Sequence, residues 1–141
     1  MVEIRKVKTK QEMDLVYGIR REVFIDEQGV PEELEMDGLD EQAVHVLSLV
    51  NGVPAGCGRL LQYGTDAKIG RVAVKKDMRR GGIGEGICKL LISIAKDSGA
   101  ERIVINAQLT AEAFYSRLGF VREGGVFMEA GIEHVRMTKM L

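Results

Sequence analysis

Tryptophan is absent from the 141 residues, proline and cysteine occur only twice each, and aromatic residues make up 5%. Two cysteines, Cys57 and Cys88, cannot build the disulfide framework of a small secreted domain. The two histidines, His45 and His134, stand at scattered spacings, and neither Cys-x-x-Cys nor His-Glu-x-x-His occurs, so no metal site is expected. No apolar run approaches the ~20 residues of a membrane span, and Met1–Lys6 carries no secretory hydrophobic region. The expected setting is therefore cytoplasmic, without a membrane partner. A net charge of −1 excludes a strongly basic nucleic-acid coat. Scarce proline and 45% hydrophobic residues exclude collagen-like and disordered compositions. At this length one domain, residues 1–141, can bury a core unaided.

Two features stand out from this background. Glycine is abundant, 17 of 141 residues, although it weakens helices and strands and is best used where backbone must approach something closely. Charge is also uneven. Residues 26–41 hold Asp26, Glu27, Glu32, Glu33, Glu35, Asp37, Asp40 and Glu41 with no Lys or Arg, which leaves the rest of the chain at +7. Such a block reads either as a solvated loop or short helix, or as a source of steering for cations.

Val2–Val7 alternates as a short edge strand does. Thr9-Lys10-Gln11-Glu12 forms a capping box, and Met13, Val16, Tyr17, Arg20, Val23 and Phe24 follow at helical spacing as far as Gln28-Gly29-Val30-Pro31. Strands are expected over Ala43–Val50 and Val53–Gln62, joined at Asn51-Gly52, and over a third segment ending in Arg71-Val72-Ala73-Val74. A helix with Ile83, Ile87, Leu90, Leu91 and Ile94 on one face stops at Gly99. Glu101–Ala107 is a buried strand, Thr110–Leu118 a short helix, and Phe120–Phe127 and His134–Leu141 the closing strands. The order β-α-α-β-β-β-α-β-α-β-β predicts a mixed α/β fold with helices flanking a central sheet.

Between the third strand and the long helix lies Lys75-Lys76-Asp77-Met78-Arg79-Arg80-Gly81-Gly82-Ile83-Gly84-Glu85-Gly86. A strand that runs through cations and glycines into a helix suits a phosphate: helix N-terminal N–H groups are unpaired, and glycine lets oxygens reach them. The bland alternative is a softened helix start beside a solvated basic loop. The P-loop pattern fails, because Gly81 and Gly86 are followed by Ile87 and Cys88 rather than Lys-Ser/Thr. The dinucleotide pattern fails as well, because Gly82-Ile83-Gly84 meets Ile87 at its third position.

Arg79-x-x-Gly82-x-Gly84 resembles the coenzyme A pyrophosphate loop of the GNAT N-acetyltransferase family, Arg/Gln-x-x-Gly-x-Gly/Ala. Phe114-Tyr115-Ser116-Arg117-Leu118-Gly119-Phe120 is similar to that family's Tyr-x-x-Leu-Gly-Phe signature. A finer resemblance, to the ElaA/YjcF-like branch, rests on residues 21–31, Glu35-Met36-Asp37, Asn106-Ala107-Gln108 and residues 129–135, where Glu133 replaces a common Pro. The resemblance implies a GNAT-like fold with a mixed, mostly antiparallel sheet. It also implies an acetyl-CoA-dependent N-acetyltransferase acting on a small-molecule or peptide amine, with a homodimer through the last strands. The alternative is a CoA-binding regulatory module without turnover.

Carried onto this chain, the resemblance lays pantetheine along Val72, Ala73 and Val74. The pyrophosphate then lies on the backbone of Arg80, Gly81, Gly82, Ile83, Gly84 and Glu85, with the guanidinium of Arg79 or Arg80 on its oxygens. Tyr115 becomes the general acid for the CoA thiolate, a phenol of pKa ~10 being matched to an alkyl thiol. Gln108 stands where many members carry a cofactor-contacting Asn, ahead of Asn106 as a candidate. The N–H of Val74 would stabilise the oxyanion. The general base stays open among His45, His134, Glu22, Asp26, Glu27 and a water relay. The acidic segment suggests a cationic acceptor such as a polyamine or amino sugar.

Overall fold

The structure, a computed structural model, describes all 141 residues. Seven strands form one sheet in the order β1-β2-β3-β4-β5-β7-β6. They are β1 Val2–Lys6, β2 Val44–Val50, β3 Val53–Tyr63, β4 Asp66–Val74, β5 Arg102–Gln108, β6 Val121–Glu129 and β7 Ile132–Met140. All neighbours are antiparallel except β4 and β5. The helices are α1 Lys10–Arg20, α2 Glu32–Glu35, α3 Ile83–Asp97 and α4 Glu112–Arg117. The expected element order holds. No helix is long and apolar enough to cross a membrane.

The capping box forms as the sequence predicts: Thr9 accepts from the N–H of Glu12, whose carboxylate reaches back to the N–H of Thr9. The helix does not continue regularly, however. Arg21–Glu27 is π-helical, a local widening that periodicity cannot reveal, because one added residue per turn leaves the apolar pattern readable either way. It ends with Gln28 N–H on the Val23 carbonyl and Gly29 at φ +73°.

Helix α3 packs against the sheet through Ile83, Ile87, Cys88, Leu91 and Ala95, all buried. Two glycines of β3 make that approach possible. A Cβ on Gly58 would lie 2.8 Å from both Ile87 Cγ2 and Leu91 Cδ1, and one on Gly56 2.9 Å from the Ala73 carbonyl oxygen. Gly86 serves the same end, since a Cβ there would meet Ile4. Part of the glycine surplus is thus spent on helix–sheet packing.

The acidic segment is neither a solvated loop nor a bare steering surface. Arg20, fully buried, donates Nε and Nη2 to the Glu35 carboxylate at 3.0 and 2.7 Å and Nη1 to Asp40 at 2.7 Å. Arg59 donates to Asp37 at 2.6 and 2.9 Å and to Asp40 at 3.0 Å. Arg71 donates to the Glu35 carboxylate at 2.8 Å and to its carbonyl at 2.9 Å. Glu32 pairs with Arg21 and Glu27 with Arg79. Five of the eight acids are therefore ion-paired, and Glu35 and Asp40 are buried. Sequence reading missed this because the three arginines that neutralise Glu35, Asp37 and Asp40 lie outside the segment.

Breaking a buried pair from one side leaves an uncompensated charge. Arg20→Met should lower unfolding free energy by about 3–5 kcal/mol in urea titration; a loss below about 1 kcal/mol would show that the network is energetically idle. Hydrogen bonds from Arg59 hold Asp37 well below the usual carboxylate range. Burial pushes Asp40 up, but hydrogen bonds from Arg20 and Arg59 outweigh it, and its pKa is lowered too. Depressed carboxylates stabilise the fold above their unfolded pKa of about 3.9. Stability should be level from neutral pH to about 5, then fall as acid protonates them, and fall less steeply in Asp37→Asn. Gly58→Ala should cost about 1–3 kcal/mol through overpacking. Gly18→Ala, on an exposed helical position with open space around it, should gain up to about 1 kcal/mol in the same assay.

Candidate functional site

Strands β4 and β5 begin as a parallel pair, Asp66 opposite Arg102 through Ile69 opposite Ile105, and then part. The cause lies in β4. Against β3, Arg59 is opposite Gly70 but Cys57 is opposite Ala73, so β4 carries one extra residue. The bulge centres on Arg71, a non-glycine residue at φ +54°, and bulges bend and twist the strand that holds them. Beyond it β4 still pairs with β3 but no longer reaches β5, so the two strands open into a V.

Past the bulge, Lys75 N–H bonds to the Ala55 carbonyl, while Val74, opposite Gly56, gives its carbonyl oxygen to Arg79 Nε at 2.8 Å. In an antiparallel ladder one residue's N–H and C=O share a side, alternating along the strand. Val74 thus turns its backbone polar groups into the V, whereas Ala73 turns toward β3 and packs, buried, beside Cys57 and Leu47. Val72 lines the cleft.

The loop after β4 runs into α3 with Arg80 at φ +69° and Gly82 at φ +81°, the latter as N-cap. These left-handed residues curl the backbone so that successive N–H groups converge at the helix start. Gly81 leaves that approach open, whereas a Cβ on Gly84 would rest against Phe114 and Val74. The Ile83 side chain is buried in the core, so only its backbone faces the loop. Glu85 is exposed and paired with Lys89. Arg79 is engaged bidentately with Glu27, both N–O distances being 2.7 Å.

On the other arm, Gln108 at the end of β5 exchanges amide hydrogen bonds with Gln28, donating at 2.8 Å and accepting at 3.3 Å. Adjacent residues at the end of the π-helical turn, Glu27 and Gln28, therefore touch both arms of the V. Tyr115 is buried on α4, edge-on to Phe114 and Phe120 with centroids 4.9 and 5.9 Å away. Burial, first, and the neighbouring Cys88 thiol raise its pKa above the ordinary phenol value, away from the match with an alkyl thiol expected from the sequence. Burial likewise pushes the Cys57 and Cys88 thiols up to about 12, which leaves both inert.

A cleft of about 430 Å³ opens from the V, lined by Tyr115, Gln108, Asn106, His134 and Glu129 on the β5–β7 side and by Arg71, Phe24 and Gln28 across from them. Of the candidate bases, His134 alone lines it. His45 is buried in β2 with Nε2 on the Asp40 carbonyl at 2.8 Å, and burial lowers its pKa. Glu22 lies 4.0 Å from Lys75, and Glu27 is held by Arg79. Sequence reasoning missed Gln28 and Glu129 as cleft residues; both sit inside the segments that carry the finer resemblance.

The chain belongs to the acetyltransferase (GNAT) domain family, whose sequence model matches residues 4–141. It is 35% identical over 133 residues to the N-acetyltransferase YjcF of Bacillus subtilis, covering 94% of this chain and 95% of that one. Escherichia coli ElaA has the same fold, with a TM-score of 0.88 at 23% identity over 99% of each chain. So has a Bacillus subtilis acetyltransferase crystallised in complex with CoA, with a TM-score of 0.76 at 20% identity, covering 100% of this chain and 99% of that one. The family and branch resemblance noted in the sequence is borne out.

Proposed function

We propose that residues 1–141 form one acetyl-CoA-dependent N-acetyltransferase domain that passes acetyl to a primary amine by direct attack in a ternary complex. The observation that carries this reading is the V itself: Val74's backbone faces the gap, beside a helix start with two left-handed residues. An extended pantetheine would pair with that free strand edge as an added strand does. Its diphosphate would lie on the N–H groups of Arg80–Glu85, in exchange for Glu27 as the partner of Arg79. The CoA complex of the structurally similar Bacillus subtilis acetyltransferase supports CoA as the cosubstrate class.

With the thioester carbonyl at the end of β4, the Val74 N–H is a fixed donor for the oxyanion of the tetrahedral intermediate. Gln108 would release Gln28 to meet the pantetheine amide. Tyr115, at the cleft wall, gives its proton to the departing sulfur.

Incubating the purified protein with acetyl-CoA and a broad amine panel should yield an acetylated amine detectable by mass. CoA release by hydrolysis alone would favour a binding module instead. Tyr115→Phe should lower kcat about 10²-fold or more while the Kd for acetyl-CoA stays within twofold. Unchanged turnover would remove Tyr115 from the mechanism.

A further inference from the structure

His134 stands on β7 opposite Gln108 of β5, so the sheet register carries its ring to the cleft end of the V. Its Nδ1 lies 2.7 Å from the Ile132 carbonyl oxygen. A carbonyl can only accept, so Nδ1 carries the hydrogen, and in the neutral ring Nε2 is left with a lone pair. Phe127 stacks on the ring at a centroid distance of 5.9 Å and 28° between planes, which fixes its orientation. The ring is buried, whereas the carboxylate it faces, Glu129, is half-exposed.

Nε2 lies 3.6 Å from Glu129 Oε2. That is too long for a hydrogen bond between them. Asn106 approaches the other oxygen, Oε1, at 3.4 Å. Two acceptors, one of them anionic, thus converge on one space at the cleft wall. A group that satisfies both carries several N–H donors and a positive charge, which is the description of a primary ammonium.

We propose that His134 Nε2 is the general base of this enzyme and that Glu129 seats the acceptor's ammonium beside it, which makes the acceptor a protonated aliphatic amine. The inference rests on the N-acetyltransferase reading above. The ammonium gives one proton to Nε2, and the freed nitrogen lone pair attacks the thioester carbonyl to form the C–N bond. As the C–S bond breaks, the thiolate takes the Tyr115 proton. The nitrogen sheds a second proton, which restores the tyrosine through solvent. His134 passes its own proton to water, so one ammonium and acetyl-CoA become one amide, CoA thiol and one proton.

The charged groups around the ring are few. Glu129 of β6 is the carboxylate within 4 Å. Strand β5 presents the neutral amides Asn106 and Gln108, α4 presents Tyr115, and across the cleft Arg71 is neutralised by Glu35 and Asp37. Lys68 lines the cleft as well, on the paired part of β4.

The test compares two acceptors: an aliphatic amine that is an ammonium at pH 7, and a weakly basic amine already neutral there. His134→Gln should lower kcat/KM for the aliphatic amine about 10²-fold or more. The deficit should shrink toward pH 10, where the amine deprotonates unaided, and be within threefold for the weakly basic amine. Glu129→Gln should raise KM for the ammonium at least tenfold and leave the neutral amine within twofold. Equal deficits for both amines in His134→Gln, or none, would overturn the proposal. Nitrogen-15 spectra of the wild-type ring provide a measurement independent of any variant's folding: a proton on Nδ1 and a bare Nε2 support it, and the opposite tautomer overturns it. Failure of the parent reading looks different, because the wild type would then acetylate neither amine.

Discussion

Three arginines and three carboxylates, of which Arg20, Arg59, Glu35 and Asp40 are buried, set the geometry on which the cleft depends. Arg20 comes from α1, Arg59 from β3 and Arg71 from the bulge of β4, while Glu35, Asp37 and Asp40 come from the segment that crosses over them. Desolvating the four buried charges is costly, and only dense, multidentate pairing offsets it. The pairing has a positional consequence. Arg71 adopts a left-handed backbone conformation that a side chain ordinarily avoids, and its guanidinium is fastened to Glu35 and Asp37. The network therefore over-determines the one residue whose strain bends β4 away from β5.

From that bend the remaining features follow in order. A strand that leaves its parallel neighbour must expose polar backbone, and Val74 does so with its carbonyl capped by Arg79. The same arginine reaches Glu27, and the next residue, Gln28, reaches Gln108 on the other arm. The π-helical turn that ends at Glu27 thus spans the opening it borders. Phe24 and Gln28 on that turn also line the cleft. One short segment consequently borders both the loop after β4 and the cleft.

Most of the fold was legible from local rules: the Thr9 capping box, the Asn51-Gly52 hairpin and the apolar face of α3 all formed where propensity and period indicated. So was the glycine-rich helix start, because its signal is confined to a few consecutive residues. What was not legible is long-range. The pairing of Arg20 with Glu35 and of Arg59 with Asp37 joins residues 15 and 22 positions apart, and no pattern of spacing marks such partners. The bulge at Arg71 was hidden as well, since an arginine in a strand carries none of glycine's warning of a left-handed backbone. The glycines divide along the same line. Gly82 is needed for its positive φ, which a motif can reveal, while Gly56, Gly58 and Gly86 are needed for packing partners that only the tertiary structure supplies.

Both groups proposed to move protons are referenced to a single strand. Tyr115 sits on α4, which follows β5 after one short turn, and His134 sits on β7, held to β5 by seven consecutive paired residues. Their separation is thereby set by sheet register and one helix, elements that move less than the loops they serve. The cleft wall opposite is set by the ion network, through Arg71 and the segment it fastens. One wall is fixed by backbone hydrogen bonds and carries Tyr115 and His134. The other is fixed by side-chain charge and shapes the space between them. Substitutions on the second wall can therefore reshape the cleft without disturbing the register that positions Tyr115 and His134 on the first.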